Sequence, residues 1–316
     1  MNLQTQISLQ PQKFNQLDYN SKAVLLGSCF SENVGAKFMY FKLQATVNPF
    51  GILFHPLAIE NLITRAINSD YYSGDELIFH SEQWCCLDAH SKLNKATQDD
   101  LVNELNMQID STLLQLKSAS HIIITLGTSW VYRHIASERI VANCHKVPQK
   151  QFSKELLSVD TILQSLGAMV ALIKSVNPKV NFIFTVSPVR HLKDGFVENT
   201  RSKSHLIAAV HQMVDQRQQL HYFPSYEIMM DELRDYRFYD LDMLHPNRLA
   251  IDYIWEKFRS IWLSEEAKKT SKIVANIQAK KAHRPFNPES VAHNEFLAKL
   301  AFDIETLQAK YPHISF

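Results

Sequence analysis

Ala23-Val24-Leu25-Leu26-Gly27-Ser28-Cys29-Phe30-Ser31-Glu32-Asn33 is the stretch that decides the fold. Four apolar residues end on a glycine and lead through a serine into a helical pattern. The run reads as a buried strand, because strands of a parallel sheet covered on both faces are continuously apolar. The same reading applies to His121–Leu126 (HIIITL), Val180–Val186 (VNFIFTV) and the brief His221–Phe223 (HYF). Helices are predicted over roughly 31–40, 57–68, 98–117, 154–176, 200–219 and 247–263. Strand and helix therefore alternate, which predicts an α/β protein with a doubly wound, mostly parallel sheet. Apolar pairs from Leu77 to Leu87 and from Val131 to Val141 add β-hairpins at the rim.

Composition narrows the function classes. A chain of 316 residues, 46% hydrophobic and 21% charged, has enough apolar matter for a sizeable core. The 33 basic and 32 acidic residues leave a formal charge of +1, no field with which to gather phosphate backbones or anionic lipid. No nucleic-acid or membrane partner is expected. Seven glycines are too few for a mostly β protein with many tight turns. The opening MNLQTQISLQPQKF has neither the basic nor the apolar region of a secretory leader. No run approaches the roughly 18 to 20 apolar residues of a membrane-crossing helix, so a soluble, cytoplasmic protein is expected. Cysteines 29, 85, 86 and 144 lack both paired zinc spacing and disulfide density, and read as buried thiols. No HExxH or comparable spacing occurs among the 14 histidines, so neither metal nor cofactor is predicted.

From about residue 264 the chain changes character, with SEEAKKTSKIVANIQAKKA, a Pro-Phe-Asn-Pro break and a final helix around 290–310. This predicts a domain over 1–263 and a lysine-rich helical extension over 264–316, packed on it or bridging to a second copy in a homo-oligomer. The lysines read as a solvated helix face, with an acidic partner as the alternative.

In an open parallel sheet, reactive groups gather outside the carboxyl ends of the strands. Ser28 sits there, between a strand end and a helix start. Two readings are open: a nucleophile whose amide, at a helix N-terminus, stabilises an oxyanion, or a helix N-cap. Asp242-Met243-Leu244-His245-Pro246 supplies a second feature. In a turn, an Asp three residues before a His can hold its Nδ1–H and leave Nε2 free as a base; a surface turn with a capping Asp is the alternative.

Leu26-Gly27-Ser28-Cys29-Phe30 resembles the signature of the GSCFA domain family, which is similar to the SGNH or GDSL hydrolases. Family-like segments continue through Asn48-Pro49-Phe50-Gly51, Thr125-Leu126-Gly127-Thr128, Asn143-Cys144-His145-Lys146, Thr185-Val186-Ser187-Pro188-Val189-Arg190-His191 and Tyr222-Phe223-Pro224-Ser225-Tyr226-Glu227. The resemblance implies an SGNH-like, flavodoxin-like three-layer fold and a triad of Ser28, Asp242 and His245. In place of the usual oxyanion Asn after the third-block glycine stand Thr128 and Ser129, so the oxyanion donors fall to Gly51, Asn48, Thr128 or Ser129, with the amide of Asn143 as a further alternative. Each of these also suits a turn. Asn143 and His145 are expected to line the pocket, and Arg190 and His191 to meet a substrate carboxylate or sugar hydroxyl, or to form a structural ion pair. The function expected is hydrolysis of a short acyl ester, such as an O-acetyl ester of a carbohydrate or small molecule. Acyl transfer by the same triad and a catalytically silent carbohydrate- or partner-binding module are the alternatives.

Overall fold

The computed structural model describes residues 5–316. Residues 1–4, where the segment read for a leader begins, lie outside the described residues. The chain opens with β1 (Lys22–Gly27), α1 (Cys29–Tyr40), β2 (Gln44–Val47) and α2 (Pro56–Asn68). The hairpin β3 (Leu77–His80) and β4 (Gln83–Cys86) precedes α3 (Gln98–Ser118) and β5 (His121–Leu126). A small antiparallel sheet of β6 (Trp130–His134), β7 (Arg139–Val141) and β8 (Phe152–Leu156) follows. Then come α4 (Val159–Val176), β9 (Asn181–Val186), α5 (Phe196–Met213), β10 (Leu220–Tyr222) and the short α6 (Ser225–Glu227), which runs into a π-turn over Ile228–Glu232. The chain closes with α7 (Arg248–Trp262), α8 (Glu265–Ala282) and α9 (Val291–Lys310).

Five strands pair in the order β10-β9-β5-β1-β2, every pair parallel. Counted along the chain this is the flavodoxin-type order, with its reversal between β1 and β5. Successive strand residues face opposite layers. Val24, Leu26, Ile122, Ile124, Phe182 and Phe184 join a core with α2, α3, α4 and α5. Leu25, Ile123 and Ile183 face α1, α7, α8 and α9. The three-layer expectation holds.

The second layer is unusually aromatic. Phe38 of α1 meets Trp255 of α7 edge-on at 5.5 Å and Phe258 at 6.1 Å, and Phe41 stacks on Trp255 at 5.6 Å. Fully burying a side chain of this size contributes about 1.5–3 kcal/mol. Lys37 and Asp252 add an ion pair between the same two helices. The C-terminal helices share this core: Ala267, Val274, Ile277, Leu300 and Leu307 are all buried in it. The lysines of the tail are partly paired, Lys268 with Glu265, Lys280 with Asp303 and Lys310 with Glu266.

Four expectations need correction. The helix predicted over 154–176 starts only at Val159; residues 152–156 form β8, and Ser158 caps the helix by accepting from the Thr161 N–H at 3.0 Å. The helix predicted over 200–219 runs from Phe196 to Met213, so that the last of those residues lead into β10. The edge strand β2 was not predicted, because its Gln-Ala-Thr-Val is half-buried at every position. Finally, α4 does have the length and apolarity of a membrane-crossing helix, and Ile162, Leu166, Met169 and Ile173 bury its inner face in the core.

Candidate active site

The reversal in strand order lies between β1 and β5, and the candidate nucleophile stands at its carboxyl end. Gly27 ends β1 at φ +133°, and a Cβ there would lie 2.1 Å from the Thr125 carbonyl oxygen. Only glycine allows so close an approach. Ser28 then starts α1 as its N-cap, its Oγ accepting from the Phe30 N–H at 3.3 Å. Its own N–H donates to the Thr125 carbonyl at 3.0 Å. That amide, expected as an oxyanion donor, is therefore committed to the sheet.

Ser28 is wholly buried. A methyl group on Gly127 would sit 3.3 Å from Ser28 Cβ, 3.4 Å from His191 Nε2 and 3.0 Å from the Phe54 carbonyl oxygen, so these groups meet at one glycine. His191 packs edge-on against Phe54 at 5.6 Å. Burial, and then the neighbouring Lys203 and His245, push its imidazole down to about 3. Its Nε2 is buried without a hydrogen-bond partner.

Asp242 and His245 lie in a half-exposed turn before α7. The turn is fixed by the Asp240 N–H to the His245 carbonyl at 2.7 Å and the Met243 N–H to the Asp240 carbonyl at 2.9 Å, with Met243 at φ +59°. One carboxylate oxygen of Asp242 accepts from the N–H groups of Leu244 (2.8 Å) and His245 (2.9 Å). The other lies 2.6 Å from His245 Nδ1. These bonds, first from the His245 and Leu244 amides and then from the imidazole, hold the Asp242 carboxyl down at about 2. A carboxylate so placed selects the Nδ1–H tautomer and leaves Nε2 as acceptor. Both side chains are about half exposed, and the Arg190 N–H to the Leu244 carbonyl (3.2 Å) ties the turn to the loop after β9. Asn247 caps the next helix, accepting from the Ala250 N–H at 3.1 Å.

The oxyanion candidates separate by what already occupies their donors. The Gly51 N–H donates to the Asn48 carbonyl at 2.8 Å. Thr128 Oγ1 pairs with the Ser202 hydroxyl at 3.0 Å, and Ser129 Oγ donates to the Ser202 carbonyl at 3.1 Å, pinning this loop to α5. Asn48 accepts the Gly27 N–H at 2.9 Å through Oδ1, while its Nδ2 is buried without a partner. Of the four, Asn48 alone retains an unused donor.

The expected pocket residues are likewise divided. Asn143 Oδ1 accepts from the His145 N–H, and His145 Nε2 contacts the carbonyls of Cys86 (2.7 Å) and Ala89 (3.0 Å). They fasten one loop to another. Arg190 instead lines a cavity of about 590 Å³ together with Asp242. Burial pushes the Cys29 and Cys144 thiols up, so both stay protonated and neither is an activated nucleophile. Among the described residues no group of three or more His, Cys, Asp or Glu side chains is placed to hold a metal.

One residue escaped the sequence reading. Lys203 on α5 is fully buried, with Nζ 2.7 Å from the carbonyls of both Gly127 and Ser187, at the ends of β5 and β9. Burial pushes it down to about 7, partly opposed by Cys29. The signal was present: Asn199, Ser202, Lys203, Leu206, Ala209 and Val210 make up the buried face of α5 at helical spacing.

A model of the GSCFA family matches residues 22–258, and one of the GSCFA domain protein, C-terminal domain, matches residues 274–316. No curated protein matches. Among solved structures, the chain is similar to the crystal structure of a carbohydrate esterase family 3 from Talaromyces cellulolyticus, at 10% identity and a TM-score of 0.37, covering 81% of this chain and 99% of that one.

Proposed function

The chain belongs to the GSCFA family, and from that premise we propose that it is a serine hydrolase acting on a short acyl ester. Ser28 Oγ attacks the ester carbonyl, His245 Nε2 takes the hydroxyl proton and returns it to the leaving alcohol, and Asp242 stabilises the imidazolium. Water then releases the acyl group. Asn48 Nδ2 is the side-chain donor assigned to the tetrahedral oxyanion. The observation that carries the reading is the 2.6 Å contact of Asp242 with His245 Nδ1, close to His191, the imidazole that flanks Gly127 beside Ser28. His191 is the competing base, since it flanks Gly127 beside Ser28. With a pKa pushed down to about 3 it is a poor base near neutrality, where a general base works best with a pKa near the operating pH.

Fluorophosphonate labelling with peptide mapping tests the assignment. Modification of Ser28, lost in Ser28→Ala, is expected; an unlabelled Ser28 in folded protein sinks it. The burial of Ser28 favours a second reading, acyl transfer to an alcohol such as a sugar hydroxyl, because a shielded acyl-enzyme is protected from water. Product analysis with and without added alcohols separates the two.

A further inference from the structure

The cavity beside the Asp242–His245 turn holds about 590 Å³, the size of a small-molecule pocket. Its walls include Met229 and Leu233, both buried, and the half-buried Met230. Phe196, Tyr236 and Met243, which also line it, are 65%, 73% and 48% exposed. Large apolar side chains left in water around a cavity mark a surface that something apolar covers.

Two guanidinium groups, Arg190 and Arg234, share this apolar lining. Among the described residues neither has a carboxylate at ion-pair distance; Arg190 reaches the neutral Tyr239 hydroxyl at 3.4 Å and Met230 Sδ at 3.1 Å. The carboxylates of the wall are already taken, Asp235 by Arg237 at 3.0 Å and Asp242 by His245. The cavity therefore presents two guanidinium groups without an ion-pair partner of their own, the carboxylates of Asp235 and Asp242 in the same wall being engaged elsewhere.

We propose that this cavity is the substrate subsite and selects an amphipathic ester carrying a carboxylate. The apolar body lies against Met229, Met230 and Leu233, and the anion meets Arg190 and Arg234. The proposal rests on the reading of Asp242 and His245 as the catalytic pair and adds the substrate class.

Two measurements on the full chain test it. Titration calorimetry compares phenylbutanoate with its uncharged isostere phenylbutanamide on wild type, Arg190→Gln and Arg234→Gln, and needs no turnover. Hydrogen bonds to a charged group discriminate by about tenfold or more, so the anion binds that much tighter to wild type and loses its advantage in either variant. Arg234 is exposed, so its replacement does not threaten folding. Equal affinities, or a preference that survives both substitutions, overturn the proposal. The second measurement is the ratio of kcat/KM for mono-p-nitrophenyl adipate over p-nitrophenyl hexanoate. It favours the adipate in wild type and falls about tenfold in each variant, mainly through KM. A ratio near one, with both esters cleaved, overturns the subsite while the hydrolase reading stands. No cleavage of either ester, with the calorimetric preference intact, overturns the hydrolase reading and leaves the anion site in place.

Discussion

Lys203 Nζ lies 2.7 Å from the carbonyl oxygen of Gly127, the glycine against which Ser28 and His191 both pack. A neutral amine has two N–H groups, and the two carbonyls of Gly127 and Ser187 accept them. The consequence is a pH dependence of unusual sign for a lysine. Its folded pKa, about 7, lies below its ordinary 10.5, so between those values the unfolded chain binds the proton more readily. Stability rises with pH across that window, by up to about 1.4 kcal/mol per pH unit for one proton, and the penalty is fully present below it. Denaturant unfolding from pH 7 to 10 checks this, and Lys203→Met, which removes the proton but leaves two carbonyls unpaired, must lose the Lys203 part of the slope.

Ser28→Ala and His245→Ala are each expected to lower kcat for p-nitrophenyl acetate by several orders of magnitude with unfolding transitions near wild type. Asp242→Asn, which spoils the tautomer, should cost about 10⁴-fold. If His191→Ala proves the more damaging of the two histidine changes, the base has been assigned to the wrong residue.

Asn48→Asp separates the two duties of that side chain. The acceptor for the Gly27 N–H is kept and the unused Nδ2 donor is removed, at a φ of +44° that both residues tolerate. Loss of an oxyanion donor lowers kcat by roughly 10²–10³-fold with little change in KM. Steady-state kinetics showing an unchanged kcat would return Asn48 to a purely structural role.

Acid should destabilise the protein well before its carboxylates titrate. Burial pushes His55 and His121 down to about 4 and His191 to about 3, each from 6.5. The unfolded chain takes up these protons first, so the stability they carry is present above about 6.5 and is lost as the pH falls toward 4. The Asp242 carboxyl, held at about 2, adds a loss only below its ordinary 3.8. Urea midpoints at pH 7 and pH 5 measure the effect, and His121→Gln should reduce it; equal midpoints contradict the assignment of three neutral buried histidines.

The central strands were legible because a strand covered on both faces carries an unbroken apolar run, as β5 does with all six residues buried. The edge strand β2 touches the core only partially and has no such run. Residues 152–156 read as helix because periodicity alone does not separate a short strand from the first turns of a long helix; the capping bond of Ser158 marks the boundary. In the site, Asp242 and His245 were readable because their contact is local in sequence. The commitments of Gly51, Thr128 and the Ser28 amide depend on which chain segment lies opposite, and only the folded structure supplies that.

The aromatic contacts of Phe38 with Trp255 and Phe258 have a mechanical meaning. The last turn of the helix capped by Ser28 is joined to the middle of the helix that follows His245, with an ion pair besides. Ser28 and His245 thus lead into two helices that are fastened to each other, so a shift of one is shared by the other.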